Sequence, residues 1–239
     1  AMKDYDLAPQ GFPIDKVHVV WNGVDPQKYS PSRVPRDEIN FIRAKYGVVE
    51  GSLILFVGRL VQVKGVDKLI ESMQYIAKDY PKSKLVVVGQ GDLYQYLVDL
   101  ANKLGISNHV IFVNKFMDER EKIAYYAACD VAVFPSLYEP FGIIALEAMA
   151  MEKPVVVGAK DCSGLREIVV PSGAQQCGVH VNPYDPRDIA WGISAVLSSQ
   201  DMGRWMGING RKRVLENFTW DHAASKTLEI YKSLAKQRR

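Results

Sequence analysis

Five short runs in this chain are apolar almost without interruption and rich in β-branched residues: Leu53 to Val57, Lys84 to Val88, Val110 to Val113, Val131 to Phe134 and Pro154 to Gly158. A strand with one wet face alternates apolar and polar side chains, so an unbroken run has to be covered on both sides. Between these runs lie stretches with apolar residues at helical spacing, among them Val66 to about Asp79, Leu93 to Leu104, and Asp118 to Ala128 with Asp118 as N-cap. Right-handed crossovers between parallel strands lay their helices over both faces of a sheet. The expected fold class is therefore α/β, a doubly wound parallel sheet. Lys16 to Trp21 alternates and is read as an opening strand, ended by Asn22-Gly23-Val24-Asp25-Pro26, two turn dipeptides in succession. Arg36 to Tyr46, with Gly47 as its stop, is an early helix. Gly178 to Asn182 is a further short strand, and Pro186 to Leu197, Met202 to Glu216 and Trp220 to Leu234 close the chain as helices.

Composition narrows the function classes. With 239 residues, 48% hydrophobic and 24% charged, the chain can build one large core and is not disordered. No apolar run approaches the roughly 20 residues of a membrane span. A net charge of +3 is too small to argue for nucleic acid, and the basic Lys236 to Arg239 end is a poor basis for it. Cys129, Cys162 and Cys177 are odd in number, far apart and without a Cys-x-x-Cys, which argues against a disulfide framework or a thiolate metal site and for a reducing, cytoplasmic setting. His18, His109, His180 and His222 are equally scattered and are read as structural or exposed. Ala1-Met2 leads into charged residues rather than a secretory signal, and Ala1 is read as a cloning remnant on an excised piece.

In open parallel sheets, ligands bind at the carboxyl ends of the strands. Here those ends lead into Gly58-Arg59, Gly89 to Asp92, Asn114 to Met117 and Glu139 to Gly142, so the unusual residues gather on one edge. Pro135 ends the Val131 to Phe134 strand, Glu139 follows in the loop, and a helix resumes at Ile143. Gly142 permits close approach to the backbone, and the first N–H groups of that helix, near Gly142, Ile143 and Ile144, form an anion site. Glu147 stands one turn further on, where its carboxylate can reach the rim of the same crevice. Gly58-Arg59 followed by Lys64-Gly65 supplies a guanidinium fork and a compact ammonium, the complement of a diphosphate. The pattern fits a ligand with a phosphate in its middle and hydroxyl groups at both ends.

Other motifs say less. Gly89-Gln90-Gly91-Asp92 is either a binding turn around Gly91 or a plain tight turn, and is no full dinucleotide fingerprint. There is no Gly-x-x-x-x-Gly-Lys-Ser/Thr run, which argues against a P-loop enzyme. Glu139 with Glu147 reads poorly as a hydrolase acid pair, since one lies in a loop and the other on a helix beside the proposed phosphate groups. Tyr138 and Phe141 serve packing more often than substrate stacking.

Asn22-Gly23-Val24-Asp25, Val57-Gly58-Arg59-Leu60 with Lys64-Gly65, Val88-Gly89-Gln90-Gly91, Pro135-Ser136, and Glu139-Pro140-Phe141-Gly142 through Glu147-Ala148-Met149 occur together, in this order and spacing. In this set the chain resembles the C-terminal, nucleotide-sugar-binding domain of the retaining glycosyltransferases of family 4, from about Val17 onward. The resemblance implies a Rossmann-like domain forming the C-terminal half of a two-domain GT-B enzyme. Residues 1–15 would be a leader or linker, 16–218 the donor-binding domain, and 219–239 a helix packing back toward an N-terminal domain. The chain departs from the family where Gly often replaces Asn114 or Lys115, and where Gly-Gly-x-Pro-Glu commonly replaces Ser163-Gly164-Leu165-Arg166-Glu167.

What the resemblance implies for function is transfer of a hexose from a nucleoside-diphosphate sugar to an acceptor held by the N-terminal domain, with this domain inactive by itself. Arg59 and Lys64 would bind the diphosphate and Glu139 the sugar, as the catalytic set. Gly58, Gly91, Asn114, Met117, Phe141, Gly142, Ile143, Ile144 and Glu147 would complete the donor site. Glu147 would hold the ribose hydroxyls, and the Asn114 to Met117 loop would lie near the base. No cofactor beyond the sugar nucleotide is required, and a divalent metal is compatible but not implied. Peripheral membrane contact, if any, would run through the N-terminal domain. The alternative is a sugar-nucleotide-binding or epimerase-like protein of the same form, without transfer.

Overall fold

The computed structural model describes residues 7–160 and 163–237. Six parallel strands form one sheet: β1 (Leu53–Val57), β2 (Lys84–Val88), β3 (Val110–Val113), β4 (Val131–Phe134), β5 (Val155–Gly158) and β6 (Gly178–Val181). Their order is β3-β2-β1-β4-β5-β6, so the chain winds outward in one direction from β1, then returns to the middle and winds outward in the other from β4. In register, Ile54 faces Val131 across this central pair, and Leu55 faces Lys84's second neighbour, Val86.

Alternate strand residues feed two separate cores. Leu53, Leu55, Ala132, Phe134, Val155 and Val157 pack on one side, under α1 (Arg36–Lys45), α4 (Glu119–Ala128), α5 (Ile143–Ala150) and α8 (Gln200–Asn217). Ile54, Phe56, Val131, Val133 and Val156 pack on the other, under α2 (Val66–Asp79), α3 (Tyr94–Lys103) and α7 (Pro186–Leu197). Side-chain caps start several of these helices. Asp118 accepts from the Glu121 N–H at 2.8 Å, and Asp185 from the Arg187 N–H at 2.8 Å, as oxygen acceptors at N-caps do.

Two features differ from expectation. Lys16 to Trp21 is not a strand: a short 3₁₀ turn spans Ile14–Lys16, no ladder follows, and only Val24 pairs, as an isolated parallel bridge with Thr219. Alternation alone supplies no neighbour, and Val19 and Trp21 stay largely in solvent. A single-turn helix, α6 (Leu165–Ile168), was not visible as a period because it is too short to show one. Cys162 lies outside the described residues, as do Arg238 and Arg239 of the basic end, whereas Cys129 and Cys177 are buried free thiols. Burial pushes Cys129 up to about 12, so it remains a thiol.

The last helix, α9 (Trp220–Gln237), leaves Trp220, Leu228, Tyr231 and Leu234 largely exposed along one stripe. It starts where the Trp21 to Val24 segment meets Phe218 and Thr219. The Val24 N–H donates to the Phe218 carbonyl at 2.9 Å, and Trp21 lies against Phe218 with ring centroids 5.1 Å apart. No described helix is long and apolar enough to cross a membrane.

Candidate functional site

The break in winding direction between β1 and β4 leaves a crevice at their carboxyl ends, where the loops after the two strands turn opposite ways. A cavity of about 390 Å³ opens there, and its walls include Gly58, Arg59, Lys64, Glu139, Phe141, Gly142, Ile143 and Ile144. Asn22, Ser136 and Pro140 join them. A larger cavity, about 660 Å³, opens at the amino ends of the same strands. Its main charges are committed to the scaffold: Arg43 binds the carbonyls of Ala128 and Gly51 and the Asp130 carboxylate, while Lys153 binds the carbonyls of Ala127 and Cys129. Those groups brace the sheet end and leave little for a ligand.

Close backbone packing positions each functional side chain at the carboxyl end. The Leu60 N–H donates to the Gln90 carbonyl at 2.9 Å, fastening the Arg59 loop to the turn after β2. Gly89 has φ 142°, and a Cβ there would stand 1.9 Å from the Gly58 carbonyl oxygen; at Gly91 it would stand 2.3 Å from that of Leu60. Gly91 therefore holds the Arg59 loop in place and is not a wall of the cavity. The Lys64 loop is fastened to the Glu139 loop in the same way: the Leu137 N–H donates to the Val63 carbonyl at 2.9 Å. Gly65, at φ 64°, would bring a Cβ within 2.3 Å of the Pro135 carbonyl oxygen.

Across this joint Lys64 Nζ donates to Glu139 Oε2 at 2.5 Å, and the two side chains are only 19% and 13% exposed. Arg59 is exposed and makes no ion pair among the described residues. Gly142, at φ 106°, begins α5 against Leu165, and Gly142, Ile143 and Ile144 at the start of that helix line the cavity; the first N–H groups of a helix have no partner within it. The strand-like contact between Glu139 and Ser163, with the Gly164 N–H on the Glu139 carbonyl at 2.7 Å, holds the acid loop from its other side.

The remaining sequence-derived residues lie elsewhere. Asn114 is exposed on the loop after β3, and Met117 is 8% exposed and packed in the core; neither is a wall of the cavity. Glu147, one turn into α5, is 8% exposed and also not a wall. Its Oε1 accepts from the Tyr29 hydroxyl at 2.9 Å and from Lys122 Nζ at 2.6 Å, and its Oε2 accepts from the Tyr126 hydroxyl at 3.1 Å. Burial, and then the neighbouring Glu147 charge, raise both phenols well above the ordinary tyrosine range and keep them donors. Tyr29 also reaches Glu119 Oε1 at 3.2 Å, and Lys28 pairs with that carboxylate, which the Lys28 hydrogen bond holds below its ordinary value.

Sequence reasoning missed Tyr29 and Lys122. Tyr29 lies 118 residues from Glu147, and Lys122 is a helix lysine like any other until the fold brings it across. Lys122→Met should destabilise the chain by about 1–3 kcal/mol, the cost of leaving a buried carboxylate short of a donor. In urea unfolding, that loss should shrink when Glu147→Gln is also present; full additivity of the two changes would show that the pair does not couple.

The comparisons with known proteins agree with this architecture. Residues 38–213 match the family model described as Glycosyl transferases group 1. An uncharacterised glycosyltransferase of Methanocaldococcus jannaschii is 40% identical over 220 residues, covering 92% of this chain and 55% of that protein. The solved C-terminal domain of a glycosyl transferase group 1 family protein from Francisella tularensis superposes with a TM-score of 0.71 at 26% identity, covering 83% of this chain and all of that domain (100%). A structure of the Anabaena protein HepE with UDP and glucose superposes with a TM-score of 0.80 at 23% identity, over 95% of this chain and 59% of that one, which speaks to the fold. The chain thus spans little more than half the length of the curated relatives it matches.

Proposed function

The chain belongs to the group 1 glycosyl transferases, and from that premise we propose that it is the donor-binding half of a retaining GT-B enzyme of family 4. In this reading it takes a nucleoside-diphosphate hexose, and a second domain presents the acceptor. The observation that carries the proposal is the meeting of Arg59, Lys64, Glu139 and the start of α5 around one cavity at the β1–β4 switch. These are two cations, an acid and a set of helix N–H groups, the groups a sugar linked through a pyrophosphate needs.

Transfer breaks the anomeric C–O bond, so positive charge grows on the sugar while the leaving diphosphate gains negative charge. The Arg59 guanidinium and the N–H groups at Gly142, Ile143 and Ile144 answer the second change, and fixed donors of this kind act where charge develops. Neither glutamate is offered as a covalent nucleophile. Glu139 is committed to Lys64, and Glu147 is enclosed by two phenols and an ammonium. Retention is then best served by attack from the face the diphosphate leaves, with the leaving phosphate taking the acceptor's proton. For Glu147 to hold ribose hydroxyls as well, its buried carboxylate, which has about one acceptor site left beside its three present donors, must become reachable from the cavity.

Titrating the 239-residue chain with UDP, GDP and ADP tests the reading. One of the three should bind measurably, Arg59→Ala should abolish that binding, and no sugar transfer should occur without the second domain. Absence of binding to all three would overturn the proposal.

A further inference from the structure

The Lys64–Glu139 pair implies a selectivity that a plain diphosphate cradle would not have. The two loops that carry it are joined by the Val63–Leu137 backbone hydrogen bond and packed closely at Gly65–Pro135, so the pair is held in place rather than formed by chance at a surface. With both side chains mostly out of solvent, separating them costs more than separating an exposed pair. Arg59 is uncommitted by contrast. A phosphate can therefore take the guanidinium freely, whereas at the ammonium, which keeps two further N–H donors, it has to share Lys64 with the Glu139 carboxylate and lie beside its charge.

From this we infer that Glu139, through its ion pair with Lys64, makes the site discriminate against a free nucleoside diphosphate in favour of the same nucleotide carrying a sugar. The inference rests on the donor-site reading above. A free diphosphate brings an extra negative charge on its terminal phosphate and no hydroxyl beyond it. On sharing Lys64 it sets that charge beside the Glu139 carboxylate, and the two anions repel. A sugar nucleotide is one charge poorer at that phosphate, and its hydroxyl groups can donate to the remaining lone pairs of the Glu139 carboxylate. Binding of the substrate is thus compensated at Glu139, and binding of the product is not. The site is biased to let go of the nucleotide once the sugar has left.

The test uses probes that separate the two charge states. Inorganic pyrophosphate reports on the cradle without regard to the base, and UDP with UDP-glucose, GDP with GDP-mannose and ADP with ADP-glucose supply matched pairs. In Glu139→Gln, which keeps the shape and removes the charge, affinity for pyrophosphate and for the bound nucleoside diphosphate should rise about tenfold, as for removal of a neighbouring like charge. Affinity for the matched sugar nucleotide should stay level or fall, so the preference for the sugar form drops by at least that factor. Glu139→Ala should share the gain for pyrophosphate and guards against a peculiarity of the amide. If the unaltered chain binds a nucleotide but neither variant binds pyrophosphate or the free diphosphate more tightly, the selectivity is refuted while the donor site stands. If the unaltered chain binds none of these probes, the donor site itself is refuted, and the selectivity falls with it.

Discussion

Arg59→Ala should lower turnover of the intact enzyme by about 10²–10³, the typical cost of removing one fixed donor from a developing charge. Its melting temperature should hardly move. The guanidinium is exposed and makes no ion pair among the described residues, so the fold has little to lose. This separation of activity from stability distinguishes a ligand-binding arginine from a structural one such as Arg43, whose guanidinium binds two carbonyls and a carboxylate. A sugar-transfer assay paired with a melting curve measures both. Unchanged turnover would remove Arg59 from the mechanism; a large fall in melting temperature would give it a scaffold role instead.

Gly89→Ala should act in the opposite way, through the fold. At φ 142° an alanine is strained, and its Cβ would lie 1.9 Å from the Gly58 carbonyl oxygen, so the turn after β2 must withdraw from the Arg59 loop. Strain and overlap together should cost about 2–5 kcal/mol, which in a chain of this length lowers the melting temperature by roughly 5–15 °C. Nucleotide affinity should fall too, because Arg59 is held by the Leu60–Gln90 hydrogen bond that this turn makes. A variant with wild-type melting would mean that the turn relaxes without consequence and that Gly89 does not position the site.

The frame of the site was legible in the sequence, and the contacts inside it were only partly so. Runs such as Leu53 to Val57 announce strands buried on both faces, and the loops after them had to share one edge. That reasoning brought Arg59, Lys64 and Glu139 to one cavity. It could not show that Lys64 and Glu139 would pair with each other, because the joint between their loops is a backbone contact between segments about 70 residues apart in sequence, and general sheet rules say nothing of it. Nor could it show Glu147 turned toward Tyr29, Tyr126 and Lys122, since a carboxylate one turn into a helix can face the rim or the flank. The glycine of Gly89 to Asp92 carried a real signal with an ambiguous meaning. Its requirement is close packing between two loops, and that yields the same residue as close approach by a ligand. Lys16 to Trp21 misled because alternation describes a strand's faces and not its neighbours.

Backbone amide shifts, followed while the bound nucleoside diphosphate is titrated into the chain, test the central claim most directly. The account predicts that the largest changes fall at Gly58, Arg59, Gly142, Ile143 and Ile144, around the cavity where β1 and β4 end. Changes confined instead to Ser52, Cys129 and Asp130, at the other end of the same strands, would contradict it.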